Sequence, residues 1–149
     1  MAKVGFVGLG TMGAHMAYNC LQGGNDMVVH DIRRESATSH LEAGATWADT
    51  PREVAEASDV VFTSLPGPVE IEAVALGDSG LMEGLEEGKT YFDLSTNSPT
   101  VIRHIHEVMG ARGINVLDAP VSGGPRGASS RNLAIWVGGD KDLFDKYKP

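Results

Sequence analysis

The sequence predicts a single α/β domain built on a doubly wound, mostly parallel β-sheet. Three observations carry that prediction. Short apolar runs alternate with stretches whose apolar residues fall at helical spacing, the order expected when helices cover both faces of a parallel sheet. A glycine-spaced turn joins the first apolar run to the first helical stretch, and an aspartate closes the second run. The length of 149 residues suits one domain and buries enough surface to support a core.

The elements follow in order. Val4 to Val7 forms the first strand, and a helix begins near Thr11 with Met16, Ala17, Cys20 and Leu21 on one face. Gly23-Gly24 stops it, and Met27 to His30 is a second strand ending at Asp31. A short helix covers Arg34 to Ala43 and stops at Gly44. Thr50-Pro51-Arg52-Glu53 opens another: Thr50 caps, Pro51 suits the first helical position, and Glu53 returns a bond to the cap backbone. Val60 to Phe62 is a strand leading into the turn Leu65-Pro66-Gly67-Pro68. Thr90 to Phe92 is the next, ending in Asp93-Leu94-Ser95-Thr96. Ser98-Pro99 opens a helix with Val101, Ile102, Ile105, Val108 and Met109 on its apolar face. Val116-Leu117 precedes Asp118, and Leu133 to Val137 reads as a last strand. The chain ends at Lys146-Tyr147-Lys148-Pro149 as another helix begins, so a longer protein is expected.

Composition excludes several classes. Apolar residues at 42% and charged residues at 21% are ordinary for a globular protein. Twelve basic residues against twenty acidic ones give a net charge of −8, which argues against a nucleic-acid partner. Cys20 is the single cysteine, so no internal disulfide or cysteine-based metal site forms, and its apolar stripe predicts a buried, inert thiol. His104 and His106 lie two apart on a helix and point different ways, so no metal site is predicted. Neither a signal peptide nor a membrane-spanning run is present in the sequence, and a cytoplasmic protein is expected.

Gly8-Leu9-Gly10-Thr11-Met12-Gly13 has the spacing G-x-G-x-x-G. Alone it is weak evidence, because the chain holds 19 glycines. Its context is stronger: a strand precedes it, a helix follows, and Asp31 ends the second strand at the distance a dinucleotide-binding Rossmann unit requires. Gly8 permits the tight turn, Gly10 lets pyrophosphate approach the backbone, and Gly13 lets the helix pack closely. The N–H groups of the helix start hold the phosphates. Asp31 is expected to accept bonds from the adenine-ribose hydroxyls and to repel a 2′-phosphate, favouring NAD. Arg33 and Arg34 beside it leave NADP possible. Ile32 joins Asp31 and Arg33 as a candidate contact.

Three further segments occur in order: Leu65-Pro66, Asp93-x-Ser95-Thr96-x-x-Pro99, and Asp118-Ala119-Pro120-Val121-Ser122-Gly123-Gly124. With the glycine turn they resemble the β-hydroxyacid dehydrogenase family, which includes 3-hydroxyisobutyrate and 6-phosphogluconate dehydrogenases, across essentially the whole chain. The resemblance implies that Leu65, Pro66 and Thr96 contact the cofactor, Thr96 near its nicotinamide end, and that Ser122, Gly123 and Gly124 grip a substrate carboxylate. A hydroxyl beside unobstructed N–H groups suits an anion. It also implies hydride transfer between NAD(H) and a small hydroxyacid or its semialdehyde by a full-length homo-oligomer.

The chain departs from the family in two places. Pro125-Arg126-Gly127-Ala128 and Arg131-Asn132-Leu133 bring Arg126 and Arg131 near the carboxylate segment, either to select a second anionic group or as exposed loop residues. The family's catalytic lysine motif, Lys-x-x-Asn-Asn, is missing from these residues, and Lys3, Lys89, Lys141, Lys146 and Lys148 match nothing in it. Residues 1–149 therefore read as the dinucleotide-binding domain, with no catalytic residue assigned and a C-terminal helical substrate and dimerisation domain beyond them. The alternative is a nicotinamide-binding sensor or interaction module without catalysis, which would have no need of the Ser122-Gly123-Gly124 segment.

Overall fold

A computed structural model describes residues 2–147; Met1, Lys148 and Pro149, part of the termini read above, lie outside the described residues. Six strands form one parallel sheet: β1 (Lys3–Val7), β2 (Asp26–His30), β3 (Thr46–Trp47), β4 (Val60–Thr63), β5 (Thr90–Asp93) and β6 (Asn115–Asp118). Their spatial order is β3-β2-β1-β4-β5-β6. The chain winds outward from β1 to β3, then crosses to β1's other side and winds outward to β6. Val7 is in register with both His30 and Thr63, so the glycine turn and the segment after β4 leave neighbouring strands at one level. Their connections depart in opposite directions there, and such a switch point opens a crevice at the carboxyl edge of the sheet.

Strand side chains alternate between two cores. Val4, Phe6, Met27, Val29, Val60, Phe92 and Leu117 face one side, packed by α1 (Gly13–Gln22) through Ala17. Val7, Val28, Val61, Tyr91 and Val116 face the other. There they meet α3 (Pro51–Glu56), α4 (Pro68–Leu76) and α6 (Pro99–Gly110) through Val54, Ile71, Ile105 and Met109, with α2 (Thr38–Glu42) and α5 (Leu81–Gly84) completing the helices up to that point. Phe6, Phe62 and Phe92 stack across three adjacent strands, with ring centroids 6.3 and 5.1 Å apart. Among the described residues no helix is long and apolar enough to cross a membrane.

Several expectations change in detail. Helix α1 starts at Gly13 rather than near Thr11, because Thr11 and Met12 are taken up in the turn. The stretch from Arg34 to Ala43 divides into a 3-10 turn (Arg34–Ala37) and α2. Thr50 caps α3 by accepting from the Glu53 N–H at 3.2 Å, but the Glu53 carboxylate returns its bond to Asp49 N–H, one residue before the cap. The segment from Leu133 to Val137 does not extend the parallel sheet. Only β8 (Ala134–Ile135) is strand, paired antiparallel with β7 (Val121–Ser122) in a separate ribbon. The connection between them, through α7 (Gly124–Ser129), is short for a parallel crossover. A last helix, α8 (Lys141–Tyr147), packs Tyr147 edge-on against Phe92.

Candidate dinucleotide site

The crevice between the carboxyl ends of β1 and β4 encloses about 640 Å³. Gly8, Gly10, Thr11, Met12 and Gly13 form its floor and one wall, Asp31, Ile32 and Arg33 close the end at β2, and Leu65 and Pro66 stand opposite. Most of the cofactor residues expected from the sequence thus meet around one cavity. Leu9 does not line it: its side chain is buried in the core. Thr96 is exposed on the loop after β5, outside the lining.

Each glycine of the turn has its own physical reason. Gly8 has φ +97°, a conformation that L side chains rarely adopt, and its N–H donates to the His30 carbonyl at 3.0 Å. A β-carbon at Gly13 would overlap the Gly8 carbonyl oxygen, so only glycine lets α1 start this close to β1. Gly10 is exposed, and a β-carbon there would meet nothing within 4 Å. The open space over Gly10 is the approach a pyrophosphate needs, and the first turn of α1 carries no acidic side chain to compete with it. The residues present therefore fit a dinucleotide.

Asp31 ties the glycine turn to the segment that follows β2. Its Oδ2 accepts from Leu9 N–H at 2.7 Å and its Oδ1 from Arg33 N–H at 2.9 Å, each oxygen keeping a lone pair for a sugar hydroxyl. The two arginines part company: Arg33 lines the crevice, whereas the Arg34 guanidinium lies 5.3 Å from the Trp47 ring centre. Ile32 is 95% exposed at the rim, an apolar surface available to a flat ring. Sequence reasoning missed Ser36, Ser64, Glu70, Ala73 and Val74 in the lining. The last three come from α4, which follows the Leu65–Pro68 turn and carries apolar residues all round.

The second segment of interest lies on the far side of β5. β6 ends at Asp118, whose carboxyl is pushed above its ordinary pKa by burial and then by Asp93. Ser122 is exposed on β7, and Gly123 and Gly124 take φ values of +139° and +64° to begin α7. None of the three lines the crevice. Arg131 donates from Nε to Asn19 Oδ1 at 3.2 Å, and Asn19 Nδ2 donates to the Ala128 carbonyl at 2.7 Å, so this arginine braces α7 against α1. Arg126 is exposed. Cys20 is half-buried, and burial pushes its thiol up, away from the reactive thiolate.

A parallel sheet of this order, with an unobstructed glycine turn and a helix N-terminus at its switch point, defines a dinucleotide-binding domain. Residues 3–149 match the NAD binding domain of 6-phosphogluconate dehydrogenase, and the chain belongs to that family. It is similar to the NAD-dependent L-serine dehydrogenase of Pseudomonas aeruginosa, at 38% identity over 100% of this chain and 50% of that protein. The structure of Mycobacterium tuberculosis 3-hydroxyisobutyrate dehydrogenase with L-serine superposes with a TM-score of 0.92 at 31% identity, covering 100% of this chain and 50% of the other. Psf3 in complex with NADP+ and 2-OPP also gives 0.92 at 31% identity, covering 98% and 52%. The chain spans about half the length of the relatives it matches.

Proposed function

We propose that this domain holds NAD(H) for a full-length enzyme that interconverts a small β-hydroxyacid, such as 3-hydroxyisobutyrate, and its semialdehyde. The observation that carries this reading is the switch-point crevice, open over Gly10 and closed at its β2 end by Asp31. The bound nicotinamide supplies the hydride chemistry. The chain's own part is to hold it: Gly8 to Gly13 receive the pyrophosphate, Asp31, Ile32 and Arg33 the adenosine end, and Leu65, Pro66 and Thr96 the nicotinamide end. Ser122, Gly123 and Gly124 take the substrate carboxylate. The acid–base group belongs to a further, helical domain of a cytoplasmic homo-oligomer.

Calorimetric titration with NAD tests the first part; wild-type protein that releases no binding heat would refute it. Residues 1–149 bind the cofactor and show no turnover of 3-hydroxyisobutyrate, since general acid–base catalysis alone contributes about 10²–10⁴-fold and substrate positioning is also missing. Measurable turnover would place a catalytic group within this chain.

Asp31→Ala should weaken NAD binding by about tenfold or more, the effect of losing hydrogen bonds to a charged group. NADP should lose less, because the repulsion of its 2′-phosphate goes too. The NAD-to-NADP affinity ratio therefore falls. A wild-type preference for NADP would mean that Arg33 outweighs the carboxylate.

A further inference from the structure

Asp93 ends β5 as a fully buried carboxylate, and among the described residues no cation pairs with it. A buried charge without a counter-ion is costly and persists only where hydrogen bonds satisfy it. Its Oδ1 accepts from Thr63 Oγ1 and from Ser95 N–H, both at 3.0 Å, and its Oδ2 accepts from Asn97 Nδ2 at 2.9 Å. With the Thr63 proton committed to Asp93, the 2.7 Å contact between Thr63 Oγ1 and Tyr91 OH has the tyrosine donating. Tyr91 is suited to that role, because burial and then the Asp93 charge push its hydroxyl well above the ordinary tyrosine range.

The bonds then run outward. Ser95 Oγ accepts from Leu65 N–H at 2.8 Å, reaching into the turn opposite the glycines. Asn97, held through its amide nitrogen, accepts from Ser98 N–H at 2.7 Å where α6 begins. One carboxylate therefore fixes both flanks of Thr96 and, through Ser95, the Leu65–Pro66 turn. These groups follow one another along the carboxyl edge from β4 to β5, away from Asp31 at the end of β2. A dinucleotide whose adenosine end lies at β2 presents its other end here.

We propose that Asp93 is a positioning residue that sets the spacing between the Leu65–Pro66 turn and the Thr96 loop for the nicotinamide half of the cofactor. The proposal rests on the reading of the crevice as an NAD site. It predicts a division of effects that a general loss of stability does not produce.

In Asp93→Asn, one amide nitrogen faces another across position 97, and the loop loses that tether. NAD binding should weaken about tenfold, while ADP, which ends at the pyrophosphate, should keep its affinity within about twofold. The exchange Asp93→Asn with Asn97→Asp restores a donor facing an acceptor and still leaves an oxygen for Ser98 N–H, so NAD affinity should return to within about twofold of wild type. Ser95→Ala, which removes only the tie to Leu65, should show the same division more weakly and carries the test if the Asp93 variants do not fold. Equal weakening of NAD and ADP, no weakening of NAD, or failure of the exchange to restore it would overturn the assignment while leaving the cofactor reading intact. Wild-type protein that binds ADP but gains nothing from the nicotinamide half would also overturn it. Wild-type protein that binds neither would remove both readings.

Discussion

Gly10→Val should abolish NAD binding, by at least roughly a hundredfold or about 2.8 kcal/mol, and leave the domain as stable as wild type. Gly10 is exposed, its φ lies outside the left-handed region, and a β-carbon there meets nothing within 4 Å. The protein itself thus has room for the valine. What the branched side chain occupies is the space in front of the N–H groups at the start of α1, where a pyrophosphate must make backbone contact. Calorimetric titration alongside a thermal melt separates the two quantities. Unaltered affinity in the folded variant would mean that this turn does not receive the phosphates.

Gly13→Ala should do the reverse, damaging the fold first. Its β-carbon falls on the Gly8 carbonyl oxygen, a backbone atom that cannot rotate away. Alanine is favoured over glycine inside a helix by about 1 kcal/mol, but overpacking against an immovable neighbour costs about 1–3 kcal/mol or more. A net loss of about 2 kcal/mol would lower Tm by roughly 4–8 °C in a domain of this size. NAD affinity should fall with it, because α1 is displaced from the turn. The same substitution at Gly10 should leave Tm unchanged. Equal melting temperatures for Gly13→Ala and wild type would show that α1 is not held where the packing puts it.

The legible parts of the fold were those with short-range signatures. Val4–Val7, Met27–His30, Val60–Phe62 and Thr90–Phe92 read as strands because both of their faces are buried, which gives continuous apolar runs bounded by turn residues. The glycine turn was legible because its spacing, preceding strand and distal aspartate are all local in sequence. By contrast, β3 is only two residues long and exists through its pairing with Val28 and Val29, a tertiary fact. Helix α4 was hidden because the apolar residues of Val69 to Leu76 fall all round it, leaving no single apolar stripe, and because it follows a Pro-Gly-Pro turn. With it were hidden Glu70, Ala73 and Val74 in the crevice. The direction of β8 depends on β7 and on the turn at Gly123 and Gly124. Asp93 was visible as a motif member, but the three bonds converging on it join β4, β5 and the following loop.

The bond from Leu9 N–H to Asp31 has a consequence for how cofactor preference can change over evolution. The residue we propose to read the ribose also anchors the turn we propose to receive the phosphates. A lineage that exchanges Asp31 for a small neutral residue to admit a 2′-phosphate therefore loosens its grip on every dinucleotide at the same step. Asparagine at this position keeps one acceptor and gives up the other, so either the Leu9 or the Arg33 N–H is left to water. A switch of preference that retains affinity needs a compensating change in residues 9–12, and the two alterations should be inherited together.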